Sequence, residues 1–390
     1  MDSHTRCAKI PGAILLTSAF LLALCPVRTS AQTIVPVYVS PIGSYQEVRI
    51  PSLVCTQTGT LLAFAEGRVI PGDHARNDIL LRRSMDNGAT WGSIQYVHAD
   101  PDRVFVNPCS VVLPSGRVLL MYQSFPHGLH ARKIGDSVKL LSPGLEGDRI
   151  SRTLLQWSDD DGVTWSTPRD ITAQTKRPAP IISTASGPGI GIVIARGPHK
   201  GRVVIPTNEG WWETPGRIFN VFACYSDDNG EMWQIGEIAP RSEGVMGDEV
   251  QIVECSDGAL LLNSRASFGS HRLSARSTDG GENWSPLRVE SSLPEPRCMG
   301  SIFRYSWPED GKSRILFANP GNEISRTKGT VRVSYDEGKT WPVSKVVFEG
   351  DFAYSCLARL TDHSIGLLYE TNDHSRIEFM RFTLEWLEGS

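Results

Sequence analysis

The sequence is notable first for what it lacks. It has no basic tract, no low-complexity segment and no apolar run long enough to span a bilayer, which takes about 20 residues. The first absence, with a net charge of −4, argues against a nucleic-acid partner, which a cationic surface would hold by neutralising phosphates. The last argues against a transmembrane helix. Cysteine is sparse: outside the first 31 residues there are Cys55, Cys109, Cys224, Cys255, Cys298 and Cys356, widely spaced and with no CxxC pair. That spacing speaks against a zinc site. Disulfides and free buried thiols both remain open, because a chain this long can stabilise its own core.

The chain begins with features of an export signal. Arg6 and Lys9 precede an apolar stretch from Ala13 to Cys25, and Thr29-Ser30-Ala31 supplies small residues before an expected cut at Gln32. A charged start, an apolar middle and a small-residue end make a secretory leader. Residues 1–31 are therefore read as a signal peptide, residues 32–390 as a single catalytic domain, and the protein as secreted or periplasmic. Losing Asp2, Arg6, Lys9 and Arg28 removes two net positive charges and leaves about −6.

What the sequence does have is a repeat. The pattern Ser-x-Asp-x-Gly-x-Thr-Trp stands at Ser84–Trp91, Ser158–Trp165 and Ser334–Trp341. Looser copies run from Ser226 to Trp233 and from Ser277 to Trp284, with Met232 and Asn283 at the threonine position. In such a segment the aspartate can accept hydrogen bonds from backbone N–H groups just ahead of it and close a turn. Glycine permits positive φ, and tryptophan supplies apolar surface to pack on neighbouring strands. Strand-like runs such as Ile79-Leu80-Leu81 precede the turns, so each copy reads as a hairpin. The five copies begin 51 to 74 residues apart, enough for one four-stranded antiparallel sheet each. Radial repetition of such sheets predicts an all-β propeller. Five marked sheets and one unmarked give six blades, the ring closing where Thr33–Val39 pairs with strands near Arg381–Leu384. On this reading the repeat aspartates are scaffold, and the connection over residues 124–150 can line one face.

A second set of segments lies outside the turns. Val48-Arg49-Ile50-Pro51, followed by Gly59-Thr60-Leu61-Leu62-Ala63-Phe64-Ala65-Glu66-Gly67-Arg68, resembles the opening motif of the bacterial and animal exo-sialidases, the family of Asp-box (BNR-repeat) neuraminidases. The resemblance runs from about Tyr45 to Leu387. It implies that Arg49, Arg265 in Leu261-Leu262-Asn263-Ser264-Arg265, and Arg326 in Ile324-Ser325-Arg326-Thr327 clamp the carboxylate of sialic acid. Guanidinium forks suit that task, being permanently charged and bidentate. Glu370 matches the acid that steadies the first arginine.

The resemblance further implies that Tyr354, in Phe352-Ala353-Tyr354-Ser355, is the nucleophile, that Glu249 is its base, and that Asp73, in Pro71-Gly72-Asp73-His74, is the general acid. Asp248 and Glu254 compete locally with Glu249, and Asp78 with Asp73. The chemistry is coherent: a carbon that already bears a carboxylate repels an anionic nucleophile, and sialidases are an exception to the two-carboxylate rule. A neutral phenol, whose ordinary pKa is near 10, then needs a base to take its proton. Arg68 matches a residue that touches the sugar's C4 hydroxyl. Asn107 stands where the family often has an acid for the same contact, which departs from the pattern. Trp211-Trp212 are read either as an aglycone platform or as packing.

The expected reaction is hydrolysis of terminal α-linked sialic acid from glycans, glycoproteins or glycolipids, with retention and without metal or organic cofactor. Open alternatives are transfer to another glycan, release of an anhydro product, preference for a deaminated nonulosonic acid, and a sialoglycan-binding propeller without catalysis.

Overall fold

A computed structural model describes residues 1–2, 32–74, 76–132, 139–214 and 216–389. The expected leader lies outside these residues, its first two excepted. Residues from Gln32 onward form one compact unit, a β-propeller of six antiparallel sheets. Blade 1 runs through strands Glu47–Cys55, Leu61–Arg68, Asn77–Ser84 and Gln95–His98. Blades 2 to 5 follow in chain order. Blade 6 takes Ser355–Arg359, Ile365–Thr371 and Arg376–Phe382 from the end of the chain, and its outer strand, Gln32–Val39, from the other end. Thr33 pairs with Arg381 and Val35 with Phe379, as the sequence predicts.

This closure explains why there are five repeats and six blades. Each Ser-x-Asp segment joins the third strand of its blade to the fourth: Ser84, Ser158, Ser226, Ser277 and Ser334 each end a third strand. In blade 6 the fourth strand is the N-terminal segment, so there is no such turn to mark. The turns themselves are near copies. Asp160 Oδ1 accepts from Thr164 N at 2.8 Å and Oδ2 from the Thr164 hydroxyl at 2.6 Å, while Ser158 Oγ accepts from Gly162 N at 2.8 Å. Asn283 replaces the threonine hydroxyl with its amide, at 2.9 Å. Glycine is required twice over at Gly88: φ is +83°, and a Cβ there would lie 2.0 Å from the Phe379 ring of blade 6. Trp91 meets that same ring edge-on, 5.4 Å between centroids. The turn thus staples one blade to the one before it.

Strand composition follows position in the blade. Leu61–Arg68 is buried along its whole length because neighbouring blades cover both faces, so its apolar run is continuous rather than alternating. The outer strand Val343–Asp351 is largely exposed or half-buried. The six cysteines are free thiols, five of them buried.

Since the Ser-x-Asp turns follow third strands, they lie at one end of the propeller. First strands begin, and second strands end, at the other. Arg49 near the start of a first strand, Glu249 in Gly247–Glu254, and Arg68 and Arg265 at or near the ends of second strands therefore share that opposite end.

Candidate active site

At this end the strands leave a cavity of about 350 Å³ whose wall includes Arg49, Arg265, Arg326, Tyr354, Glu249 and Asp73. Four blades and the loop of a hairpin bring these residues together.

Glu370 organises one side. It is fully buried in the second strand of blade 6. Its carboxylate accepts from Arg49 Nε at 3.2 Å and Nη2 at 2.9 Å, from Ile50 N at 2.7 Å and from Tyr354 N at 3.3 Å. Ile50 has φ of +61°, an unusual conformation for a β-branched residue, at a break in the register between Arg49 and Ser52. That kink turns the Ile50 N–H onto Glu370. Burial alone would push the Glu370 carboxyl up; the charge and hydrogen bonds of Arg49 outweigh it and hold it below the usual range.

Tyr354 is 5% exposed. Its hydroxyl donates to Glu249 Oε1. Arg265 Nη1 donates to Glu249 Oε2 at 2.7 Å and to the Tyr354 oxygen at 3.0 Å. The guanidinium carbons of Arg49 and Arg326 lie 5.1 and 5.5 Å from the tyrosine ring centre. Arg326 is positioned by the Arg297 carbonyl at 3.2 Å and has no carboxylate partner among the described residues. Burial, and then the Glu249 charge, push the phenol well above its ordinary pKa, against the pull of Arg265 and Arg326. The tyrosine is therefore neutral, hydrogen-bonded to a carboxylate placed to take its proton.

Asp73 sits in the loop between Arg68 and Asn77. Its two oxygens lie 3.0 Å from Arg68 Nη1 and 2.9 Å from Arg132 Nη2. Partial burial would raise its pKa, but Arg68, Arg49 and Arg132 bring it down to about 2. Asp78, the competing candidate, is wholly buried in its strand, where its carboxylate takes the Tyr45 hydroxyl at 2.7 Å and Arg76 at 3.2 Å.

The remaining sequence candidates fall as follows. Arg68 lines the cavity but is already bound, by Glu66 at 2.8 and 3.0 Å and by Glu47 at 3.2 Å. Asn107 also lines it, with φ of +58° and its N–H given to Glu66 Oε1 at 2.7 Å. Of the competitors to Glu249, Asp248 faces the cavity and accepts from Asn208 at 3.0 Å; burial and the neighbouring Glu249 raise it to about 6. Glu254 lies at the far end of the strand, bonded to Ala195 N at 2.7 Å. Trp211 packs against the apolar cluster of Val104, Phe125 and Leu141, whereas Trp212 is 45% exposed, its indole N–H donating to the Ala131 carbonyl at 2.9 Å. Phe125, His130 and Arg132 bring the long connection into the cavity wall.

Sequence reading passed over four groups. Glu66 was quoted only as part of a motif, although it shares a strand face with Arg68 two residues on. His130, Arg132 and Arg217 also line the cavity. His130 and Arg132 belong to the connection over residues 124–150 that the sequence places along one face; nothing in the pattern around Arg217 marks a site.

The cavity thus gathers the arginines Arg49, Arg265 and Arg326, a neutral tyrosine hydrogen-bonded to the Glu249 carboxylate, and a second carboxylate, Asp73, in one wall. The sequence matches the BNR repeat-like domain family over residues 51–369. It is 34% identical to a sialidase of Micromonospora viridifaciens, across 96% of this chain and 59% of that protein. It is 30% identical to an exo-α-sialidase of Arthroderma benhamiae, across 88% of this chain and 85% of that protein. Among solved structures, the Hadza microbial sialidase Hz136 superposes with a TM-score of 0.76 at 30% identity, covering 88% of this chain and 67% of that one. The chain belongs to the exo-α-sialidase family of glycoside hydrolases. It spans about three fifths of the length of the Micromonospora relative.

Proposed function

We propose that this protein removes terminal α-linked sialic acid from glycoconjugates by hydrolysis with retention, through a covalent intermediate on Tyr354, and that it is exported with Gln32 as its first residue. The observation that carries the reading is the bonding of the Tyr354 hydroxyl to Glu249 with Arg265 bridging the two.

In this mechanism Arg49, Arg265 and Arg326 hold the substrate carboxylate, Arg326 contributing the charge that no protein carboxylate offsets. Tyr354 attacks the anomeric carbon as Glu249 takes its proton, and Asp73 protonates the departing oxygen. Water, activated by the then-ionised Asp73, releases the sugar from the tyrosine, and Glu249 returns the proton. Two inversions give net retention. Arg68 and Asn107 lie beside Asp73 and Glu66, where they would meet a sugar hydroxyl.

The test is Tyr354→Phe with an aryl sialoside and sialyllactose as substrates, the first-formed product being followed by proton NMR. Loss of turnover with the fold intact, and an α-anomer product from the wild type, support the reading. A β-anomer as first product refutes the covalent route, while an anhydro or transferred product moves the enzyme to a sister reaction on the same tyrosine.

A further inference from the structure

The acid side of the cavity holds more positive charge than the reaction outlined above uses. Arg68 is offset by Glu66 and Glu47. Among the described residues Arg132 has one carboxylate partner, Asp73, at 2.9 Å. Arg217 has none among the described residues: its Nη2 donates to Ser183 Oγ at 3.2 Å, its guanidinium lies 4.2 Å from the Phe219 ring centre, and its Nε is buried without a partner. It lines the same cavity and feels the charges of Asp248, Arg132 and Asp73.

An acid can donate a proton only when it carries one. At the moment Asp73 serves a leaving group it is neutral, and Arg132 has lost its counter-charge. The competent site therefore has two arginine charges on this side with no carboxylate in contact with them among the described residues, Asp248 acting on Arg217 only from a distance. Uncompensated charge in a partly desolvated site is costly. His130, also in the wall, does not add to it above about pH 4, because burial pushes its imidazole down to about that value.

The position of these charges identifies what meets them. The glycosidic oxygen must come within about 3 Å of Asp73, so the leaving sugar starts there. Beyond Asp73 a shallower hollow opens, walled by Arg132, His74, Gly72 and Glu47 together with Arg49, Arg68 and Asp73; Tyr354, Glu249 and Arg265 take no part in it. A leaving sugar occupying that hollow passes Arg132.

We propose that the site favours sialosides whose leaving sugar itself carries an anion, a carboxylate or a sulfate, which pairs with Arg132 where the hollow meets the main cavity and is drawn there also by the charge of Arg217 in that cavity's wall. This rests on the sialoside-hydrolase reading above. The anion displaces Asp73 from Arg132. Asp73, with an anion in place of one of the two cations that contacted it and Arg68 still at its other oxygen, takes a proton from solvent. It passes that proton to the glycosidic oxygen as the carbon–oxygen bond breaks, while the Tyr354 oxygen bonds to the anomeric carbon and its proton goes to Glu249. The same substrate group thus contributes binding and readies the acid.

The test uses substrates matched in linkage and differing in charge. One pair is α2,3-sialyllactose with and without a 6-sulfate on the galactose. The other is an α2,8-disialyl lactoside with its inner carboxyl free or methyl-esterified. For at least one pair, kcat/KM should be about tenfold higher for the anionic member, and the preference should shrink as salt is raised. The doubly substituted Arg132→Gln, Arg217→Gln protein should bring the ratio close to one. Preference in the sulfated pair alone points to sulfated glycans, and in the disialyl pair alone to oligosialyl chains. Ratios at or below one in the wild type, or a ratio unchanged in the double variant, overturn the proposal while a cleaved aryl sialoside leaves the hydrolase reading standing. No release from the aryl sialoside sinks both.

Discussion

Arg265 and Glu249 are joined at 2.7 Å, and the same arginine nitrogen reaches the Tyr354 oxygen at 3.0 Å. One guanidinium therefore fixes the carboxylate against the phenol and stabilises negative charge on whichever oxygen bears it. Replacing Glu249 with glutamine keeps the shape and removes the proposed base. Turnover of an aryl sialoside should fall by roughly 10²- to 10⁴-fold, with the thermal melt little changed. Steady-state kinetics and calorimetry on the pair of proteins test this; a kcat within tenfold of wild type would exclude Glu249 as the base.

Asp73 carries the most direct pH prediction. Its resting pKa of about 2 lies below any useful working pH, and in the acid role proposed for it the carboxyl must be protonated. Cleavage of sialyllactose should therefore decline as pH rises. Arg132→Gln removes one of the two cations in contact with Asp73, leaving Arg68, with Arg49 nearby. That raises the carboxyl pKa and should move the decline upward by roughly one pH unit. An aryl sialoside, whose leaving group departs without a proton, should show no such displacement. Profiles that coincide for the two substrates would place the titration elsewhere.

Glu370 links chemistry to stability. Glu370→Gln leaves Arg49 without its buried counter-ion, a loss on the order of 3 kcal/mol, together with weaker carboxylate binding. Because the folded carboxyl titrates below the value of about 4.3 for an unfolded glutamate, its contribution is complete above that pH and disappears as pH falls through the folded value. Urea unfolding of the wild type should lose stability over that acidic window, and the variant should lose less of it.

The Ser-x-Asp turns give the control. Asp160→Ala removes the acceptor of the Thr164 N–H and hydroxyl bonds. A cost of about 1–2 kcal/mol is expected, seen as a lower urea midpoint. The turn lies at the opposite end from the cavity, so kcat/KM should stay within about twofold of wild type. Activity lost in proportion to neither unfolding nor aggregation would contradict the separation of scaffold from site.

The two ends were not equally legible in the sequence. A turn is written in eight consecutive residues, and its bonds join positions two and four apart, so residue types alone disclose it. The site joins Arg49 to Glu370 across 321 positions and Tyr354 to Glu249 across 105. No local pattern encodes such pairs, and they became visible only through motifs that resemble a known family. Where no motif exists, reading failed: Arg132 stands in an irregular connection and Arg217 at the tip of a hairpin, each an ordinary surface arginine until the fold turns it inward. Trp211-Trp212 leave two readings open, and the structure divides the pair: Trp211 packs inward, while Trp212 anchors its indole N–H on the Ala131 carbonyl and stays exposed.

The strand that closes the ring sets an order on how the protein comes into being. Gln32–Val39 is made before every other strand of the propeller, yet its partner Arg376–Phe382 is made after all the others. Blades 1 to 5 can assemble in sequence as the chain emerges, while this strand waits without a neighbour. Glu370 arrives only with blade 6, so Arg49 and Tyr354 acquire their shared anchor when the last blade is made. A nascent chain cut short just before that blade holds most of the propeller but not this anchor; the cavity wall is completed only when the first and last strands of the ring meet.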